Sequence, residues 1–592
     1  MKKIILADGA FGTYLYQKGI PIEKNFSLLN IENQELIKSI HLEYIKAGSE
    51  LIETNTFSAN LYKIFDPELC YKVNLYGAII AKQASNGKAL VAGSIGPTGK
   101  LLYPFSDIKK EDLKKFFLPQ IQGLLDGNVD LLAVETQTLI EEAEEILKAI
   151  KELNKNIPIL LSFTFNEDKK TPYGATIKDV VEIAEKYKVD YVGANCGLGP
   201  SYFLDLIKEF SYLTKIPFSV MPNAGLPIMK KGTFIYSCYP DYFTNNMLKI
   251  SNFGVAIIGG CCGTEPKHIA HLKIQLNNLP NLTNNTFSFY IQDKKKSKFH
   301  LNEENLFKEK IQKKDFIISI ETYPPKGFLT NKNYTYLSNL KNLNIQFINV
   351  VDLPMAKMRM SGIAFAHIMK EKFNFEPILH FTCRNRNILS IYGDLLGARA
   401  LGIKNILSLT GDPPTIGDYP HASANYDLTN IGLLNLIKLL NEGKDIAYKD
   451  IDVVYDFFTG TSLSYNDLHD TSKILEKISA GANFFFSQPI FENFFIEKYS
   501  NEFKIPIIIG ILICKDYEQL EYFAKEVPDI AIPDKILNQF KINKNNFLEF
   551  QNDFLLNLIL EVKNLINGIY IIAPGLNFEY LKSFIFKLYK IL

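Results

Sequence analysis

Two adjacent thiols, Cys261 and Cys262, stand in Gly259-Gly260-Cys261-Cys262-Gly263-Thr264, directly after the apolar run Val255 to Ile258. Neighbouring cysteines bridge each other poorly, because a disulfide wants separated Cα atoms and a χ3 near a right angle, whereas both sulfurs can bind one tetrahedral metal ion. A third thiol, Cys196 in Gly193-Ala194-Asn195-Cys196-Gly197, also follows an apolar run and precedes a glycine. Three thiolates at strand ends would leave one zinc position open, the arrangement of a catalytic rather than a structural site. A substrate thiol there is held as thiolate at neutral pH, and its natural reaction is attack on a carbon electrophile. The carboxylates Asp8 and Glu135 fall at strand ends of the same half and can hold a substrate ammonium group. Three packing thiols account for the pattern less well, since glycine flanks and strand-end placement coincide three times. Cys70, Cys238, Cys383 and Cys514 carry no such signature and are read as packing residues. A non-enzymatic thiol or metal sensor is the alternative that a vicinal cysteine pair leaves open.

The elements that must position these residues are short apolar runs with amphipathic stretches between them, the pattern of parallel strands joined by crossover helices. In the first half they are Ile4 to Ala7, Leu51 to Thr54, Leu90 to Gly93, Leu131 to Val134, Ile159 to Phe163, Tyr191 to Ala194, Phe218 to Val220 and Val255 to Ile258. Eight alternations predict a (β/α)8 barrel over residues 1–280, with the polar and glycine-rich motifs gathered on its C-terminal face. From Asn281 to Lys314 the chain turns to Asn, Lys and Gln, including Lys294-Lys295-Lys296-Ser297-Lys298, and is read as a solvated linker rather than a recognition patch. The pattern then repeats over 315–592 with Ile317 to Ile320, Phe347 to Val351, Ile378 to Phe381, Ile406 to Leu409, Val453 to Phe457, Phe484 to Phe486, Ile507 to Ile511 and Ile569 to Ile572. The expected fold is therefore α/β: two (β/α)8 barrels joined by a Lys/Asn-rich linker.

Composition bounds the rest. A chain of 592 residues is too long for one core. Hydrophobic content of 47% and charged content of 22% are those of a globular protein, and a net charge of +1 argues against a nucleic-acid or membrane-surface partner. Met1-Lys2-Lys3 resembles the start of a signal peptide, but Asp8 cuts the apolar stretch short, and no run approaches membrane-spanning length. Seven cysteines without an export signal suggest a reducing cytoplasm.

Asp8-Gly9-Ala10-Phe11-Gly12-Thr13, Glu53-Thr54-Asn55-Thr56-Phe57, Gly193-Ala194-Asn195-Cys196 and Gly259-Gly260-Cys261-Cys262-Gly263-Thr264 together resemble the homocysteine S-methyltransferase family, over residues 1 to about 280. The resemblance implies that Cys196, Cys261 and Cys262 bind Zn2+ and that Asp8, Gly9 and Glu135 help to bind homocysteine. Asn223, in Pro222-Asn223-Ala224-Gly225, matches a position that in the methionine synthase branch can occupy the metal's fourth site before homocysteine does. An Asn in a strand-end turn also has a structural reason of its own. As methyl donor a sulfonium, S-methylmethionine or S-adenosylmethionine, is favoured because it carries its own leaving group. The N-methyl amine of a methylfolate generally needs a cobalt carrier or a specially activated site, and the nearest look-alike of the cobalamin motif Asp-x-His-x-x-Gly, Asp467-Leu468-His469-Asp470-Thr471-Ser472, lacks the glycine.

No Gly-x-Gly-x-x-Gly follows a strand and there is no Walker sequence, so neither a Rossmann nor a P-loop site is expected. Glu321 ends an apolar run, where a partly dry barrel mouth would raise its pKa as a general acid needs. Ile320-Glu321-Thr322-Tyr323-Pro324-Pro325, His380-Phe381-Thr382-Cys383, Leu409-Thr410-Gly411-Asp412-Pro413-Pro414, Asp470 with Lys477, and Ser487-Gln488-Pro489 resemble methylenetetrahydrofolate reductase, an FAD-containing barrel family. The resemblance implies that Glu321 is the general acid that helps open the methylene bridge of methylenetetrahydrofolate, that Asp412 lies beside flavin and pterin, and that Gln488 contacts the folate. It further implies that His380, Thr410, Gly411, Asp412, Asp470 and Lys477 contact FAD, Lys477 toward phosphate, and that NADH or NADPH is the reductant. Thr410 stands where an Arg often precedes Gly-Asp, and Val351-Asp352 replaces a Thr-Tyr pair, so no FAD contact is assigned to the second strand. The order of the two halves resembles that of bifunctional proteins in which both serve methionine synthesis. An active reductase beside a structural zinc barrel is the rival reading, and a homo-oligomer is left open.

Overall fold

The computed structural model describes residues 4–21, 24–230, 233–236, 238–278, 298–425, 427–464, 467, 470–527, 530 and 532–592. The chain forms two compact units: residues 1–295 without 103–107 but with 447–449, and the remainder.

In the first unit, eight strands run parallel: β1 Ile5–Leu6, β2 Leu51–Glu53, β3 Leu90–Ile95, β4 Leu131–Gln137, β5 Ile159–Phe163, β6 Tyr191–Asn195, β7 Phe218–Met221 and, after an antiparallel hairpin of β8 Pro227–Lys230 and β9 Thr233–Tyr236, β10 Ile257–Ile258. They pair in the order β1-β10-β7-β6-β5-β4-β3-β2, and a parallel bridge from Ala7 to Leu51 brings the two ends together. The strands are apolar on both faces because both faces are covered. Ala7, Leu51, Ala92, Leu131, Ala133 and Leu160 belong to an inner cluster with Met221 and Ile257, while residues such as Ile52, Val91, Leu132 and Leu161 pack outward on the helices.

The second unit is a closed barrel of β12 Ile317–Thr322, β13 Phe347–Val350, β14 Glu376–Thr382, β15 Asn405–Leu409, β17 Phe458–Leu463, β18 Phe484–Pro489, β19 Ile507–Leu512 and β20 Gly568–Ile572, in sequence order. Two short strands lie apart: β11 Phe299–His300 pairs with β16 Val453–Val454. The fifth barrel strand therefore corrects the sequence expectation, since it is Phe458–Leu463 and not Val453 to Phe457. Gly460 lies so close to the Phe484 ring that an added Cβ would sit 2.2 Å from it. The strand is built from Phe-Thr-Gly-Thr-Ser-Leu, whose small and hydroxylated residues hide it from a hydropathy reading.

Part of the stretch read as linker is also structured. Leu306–Lys313 is a helix, and its fully buried Phe307 packs edge-on against Phe347, Phe458 and Phe484 near the starts of their strands. The helix thus plugs the N-terminal end of the barrel, and a Phe among Asn and Lys neighbours gave no periodic signal of that role. Residues 294–297 of the basic run, and Leu468 and His469, lie outside the described residues. Among those described, no helix is long and apolar enough to cross a membrane.

Candidate functional site

The C-terminal ends of β6, β7 and β10 bring three thiols together. The sulfurs of Cys196, Cys261 and Cys262 all lie within 4.8 Å of one another, with Cys196 and Cys262 at 3.8 Å. At a Zn–S length of about 2.3 Å, the edge of a tetrahedron of sulfurs around zinc is ~3.8 Å. The donor set and its spacing therefore fit the ion. The backbone at Cys196 is left-handed, φ 59°, a conformation that costs a residue with a Cβ roughly 1–2 kcal/mol. Asn223 is buried beside it, with Nδ2 donating to the Gly197 carbonyl at 3.3 Å and Oδ1 without a partner among the described residues. Hydrogen bonds from the other two thiols hold Cys196 well below the usual thiol pKa. As the donors in those contacts, Cys261 is pushed up and Cys262 to about 12.

The glycines of Gly259–Gly263 are there for close approach. Thr264 Oγ1 donates to the Cys261 carbonyl at 2.6 Å and accepts from Ala10 N at 3.0 Å, tying the cysteine turn to the first loop. A Cβ at Gly260 would meet Thr264 at 2.5 Å, and one at Gly9 would meet its hydroxyl at 2.6 Å. Gly263 has φ 80°, and its missing Cβ leaves room for the ring of Tyr236 from β9.

The cysteines open on a cavity of about 570 Å3. Its floor carries three carboxyl groups, Asp8 after β1, Glu53 at the end of β2 and Glu135 in β4, while Phe11, Phe26, Phe57 and Tyr16 line its outer part. Glu53 N donates to Asp8 Oδ2 at 3.0 Å. The Ser94 hydroxyl donates to Glu135 Oε1, and Asn195 Nδ2 to Glu135 Oε2 at 3.2 Å. Asn195 Nδ2 also lies 3.9 Å from the Cys261 sulfur, so one amide spans the thiol and carboxyl halves of the site. Burial first, then the neighbouring carboxylates, holds Asp8 and Glu53 well above the ordinary range, and burial lifts Glu135 to about 7. Buried acids so crowded ionise readily only when a cation joins them. Sequence reasoning named Asp8, Gly9, Glu135 and the cysteines, and missed Glu53, Ser94, Asn195 and Tyr236 as site residues. Glu53 stands inside a quoted motif but reads there as a strand residue.

In the second barrel, Glu321 sits on β12 with the Tyr323 hydroxyl donating to its Oε1 at 2.5 Å. Burial raises its pKa to about 7, against the lowering effect of that hydrogen bond. His380 on β14 is buried, its Nε2 3.4 Å from Asn349 Oδ1, and desolvation lowers it to about 4, so it is neutral. Thr410, Gly411 and Asp412 follow β15. Gly411, φ 89°, packs on Thr382 where a Cβ would be 2.8 Å away, and Asp412 Oδ2 accepts from Met355 N at 2.7 Å. Gln488 lies in β18 between buried neighbours. These residues share the C-terminal mouth, and the close approach at Gly411 is taken up by the Thr382 side chain. Lys477 differs from a free phosphate ligand, since its ammonium is paired with Asp467 at 2.8 Å and bonded to the Ser462 carbonyl. Asp470 is exposed, next to Ser472. Asp352, left unassigned in the sequence, is buried and held by Arg386, which reaches its Oδ2 at 2.6 Å and Asp394 at 2.8 Å. It faces inward to this network.

Residues 5–276 match the family model described as homocysteine S-methyltransferase. Homocysteine S-methyltransferase 1 of Arabidopsis thaliana is 30% identical over 296 residues, 45% of this chain and 90% of its own length. The chain belongs to the homocysteine S-methyltransferase family. Residues 306–567 match the model for methylenetetrahydrofolate reductase, so the two halves carry two different families in that order. A methionine synthase of Mycobacterium leprae (strain TN) is 30% identical over 288 residues, 45% of this chain. The chain spans only about a quarter, 24%, of that relative's length. Among solved structures, the oxidized form of the homocysteine methyltransferase MmuM from Escherichia coli aligns over 46% of this chain and 96% of its own, with 26% identity and a TM-score of 0.41.

Proposed function

We propose that the chain is a bifunctional enzyme of methionine synthesis, with a zinc-dependent homocysteine S-methyltransferase in the barrel of residues 1–280 and an FAD-dependent methylenetetrahydrofolate reductase in the barrel of 315–592, extended by its plugging helix. The observation that carries the first half is one cavity in which three sulfurs at zinc spacing face three buried carboxyls. Such a cavity selects a thiol that also bears an ammonium group, as homocysteine does. Zinc held by Cys196, Cys261 and Cys262 would supply the chemistry of keeping that thiol ionised at neutral pH. Asp8, Gly9 and Glu135 bind the amino acid end, and Asn223 stands beside the metal position.

The methyl donor is a sulfonium, S-methylmethionine or S-adenosylmethionine. Lys24 is the one basic side chain among the described residues lining the cavity, and it is paired with Glu32. An aromatic wall of Phe11, Phe26, Phe57 and Tyr16 above buried carboxyls attracts a cation and does little for the anionic tail of a folate.

In the second barrel Glu321, protonated near neutrality, delivers a proton to the folate nitrogen that leaves the methylene bridge. Asp412 and Gln488 orient pterin and folate, while neutral His380, Thr410, Gly411, Asp470 and Lys477 border the flavin. FAD would supply the hydride relay from NADH or NADPH. The protein works in the cytoplasm.

Homocysteine offered with S-methylmethionine, S-adenosylmethionine or methyltetrahydrofolate in turn, without cobalamin, tests the first half by methionine formed. Transfer from methylfolate alone would overturn the donor assignment, and no transfer from any donor would favour a structural zinc barrel. A protein that stays colourless and inert to NADH after addition of FAD would overturn the second half.

A further inference from the structure

The acceptor atoms of the carboxyl cluster in the first barrel are not equally available. Both oxygens of Glu135 are already engaged, Oε1 by the Ser94 hydroxyl and Oε2 by Asn195 Nδ2. One oxygen of Asp8 accepts from the backbone of Glu53. Two carboxyl oxygens in the cluster, Asp8 Oδ1 and Glu53 Oε1, are buried with no hydrogen-bond partner among the described residues. A buried acceptor left without a donor costs free energy, and a carboxylate most of all. Glu53 is placed for the site by its strand: β2 pairs with β3 through Glu53 and Ala92, which puts its side chain at the mouth beside Asp8 and against Glu135. Asp8 itself is 1% exposed and both Asp8 and Glu53 line the cavity, so the orphan acceptors are shielded from bulk water.

A primary ammonium has three N–H donors and one positive charge. It needs three acceptors and gains most where carboxylates lack other partners. We propose that Glu53 is the third carboxyl of the ammonium subsite and a specificity-determining residue, so that with Asp8 and Glu135 it selects thiols carrying a primary amine. This rests on the reading of the cavity as an amino-thiol site. It assigns to Glu53 a free acceptor that Glu135 lacks. Asn195 fixes the spacing, because its Nδ2 touches both Glu135 and the Cys261 sulfur and so sets the ammonium one side chain away from the thiol position.

The test separates amine recognition from thiol binding. The protein is loaded with Co2+ in place of zinc, and thiol binding is followed by the sulfur-to-cobalt charge-transfer band without any methyl donor. Homocysteine is compared with 4-mercaptobutanoate, the same molecule without its amine. The wild type should prefer homocysteine. Glu53→Gln should lose roughly tenfold of that preference, the size expected for a hydrogen bond to a charged group, and Glu53→Ala more, while 4-mercaptobutanoate binds within about twofold of wild type. The cobalt d–d spectrum of each variant reports that its thiolate site is intact. An unchanged preference in both variants, or an equal loss for both thiols, would overturn the assignment of Glu53. Failure of the wild-type cobalt protein to bind either thiol would instead overturn the amino-thiol reading, and the Glu53 assignment with it.

Discussion

Replacing Tyr323 by Phe should move the pH profile of folate reduction toward alkaline pH. The Tyr323 hydroxyl donates to Glu321 Oε1 at 2.5 Å and so favours the ionised carboxylate, while the surrounding barrel favours the acid and lifts the pKa to about 7. A hydrogen bond to a charged group contributes about 1.5–3 kcal/mol, and one pKa unit corresponds to ~1.4 kcal/mol. Tyr323 is 39% exposed, so water competes for the bond and the lower end of that range applies, about one unit. A general acid works in its protonated form, so activity falls as pH rises through the pKa. In Tyr323→Phe that falling limb should shift from about 7 to about 8, and in Glu321→Gln it should vanish, with a rate loss of roughly 10^2 to 10^4. The assay is single-turnover reoxidation of prereduced flavin by methylenetetrahydrofolate between pH 6 and pH 9. Reduction of the flavin by NADH serves as control and should keep its profile in both variants. A limb that stays put or moves to lower pH in Tyr323→Phe would refute the balance of burial against hydrogen bonding drawn from the structure.

Other outcomes follow from the same geometry. Cys261→Ala should abolish stoichiometric zinc by metal analysis and end methionine formation, while NADH oxidation through the second barrel continues. Treatment of the wild type with a strong chelator should reproduce that split. Gly263→Ala puts a methyl group 2.1 Å from Tyr236 Cγ at a φ of 80°, so homocysteine turnover should fall at least about tenfold with flavin reduction intact. Phe307→Ala opens a cavity among Phe347, Phe458 and Phe484 and should destabilise the second barrel by about 3–5 kcal/mol in denaturant titrations followed by flavin fluorescence.

The amino-acid order alone determined a good deal. Runs such as Ile159–Phe163 and Ile507–Leu512 are buried on both faces of a parallel sheet, and that burial writes itself as continuous apolar sequence. Because barrel strands point their C-terminal ends to one face, residues that follow separate runs, Cys196 and the Cys261-Cys262 pair among them, could be assigned to one mouth without knowing the register. What only the tertiary structure decided depends on contacts between strands. Phe458–Leu463 was hidden because Gly460 makes room for the Phe484 ring on the next strand and the Thr461 hydroxyl donates to the Ser408 carbonyl on the preceding one. Phe307 and Tyr236 act through rings packed on residues distant in sequence. Glu53 is the sharpest case: its type and position were visible from the start, but that its Oε1 stays free while both oxygens of Glu135 are taken is set by Ser94 and Asn195, two residues from other strands. Periodicity records which face of an element is buried, whereas the supply of donors to a buried carboxylate is settled only when the strands have closed around it.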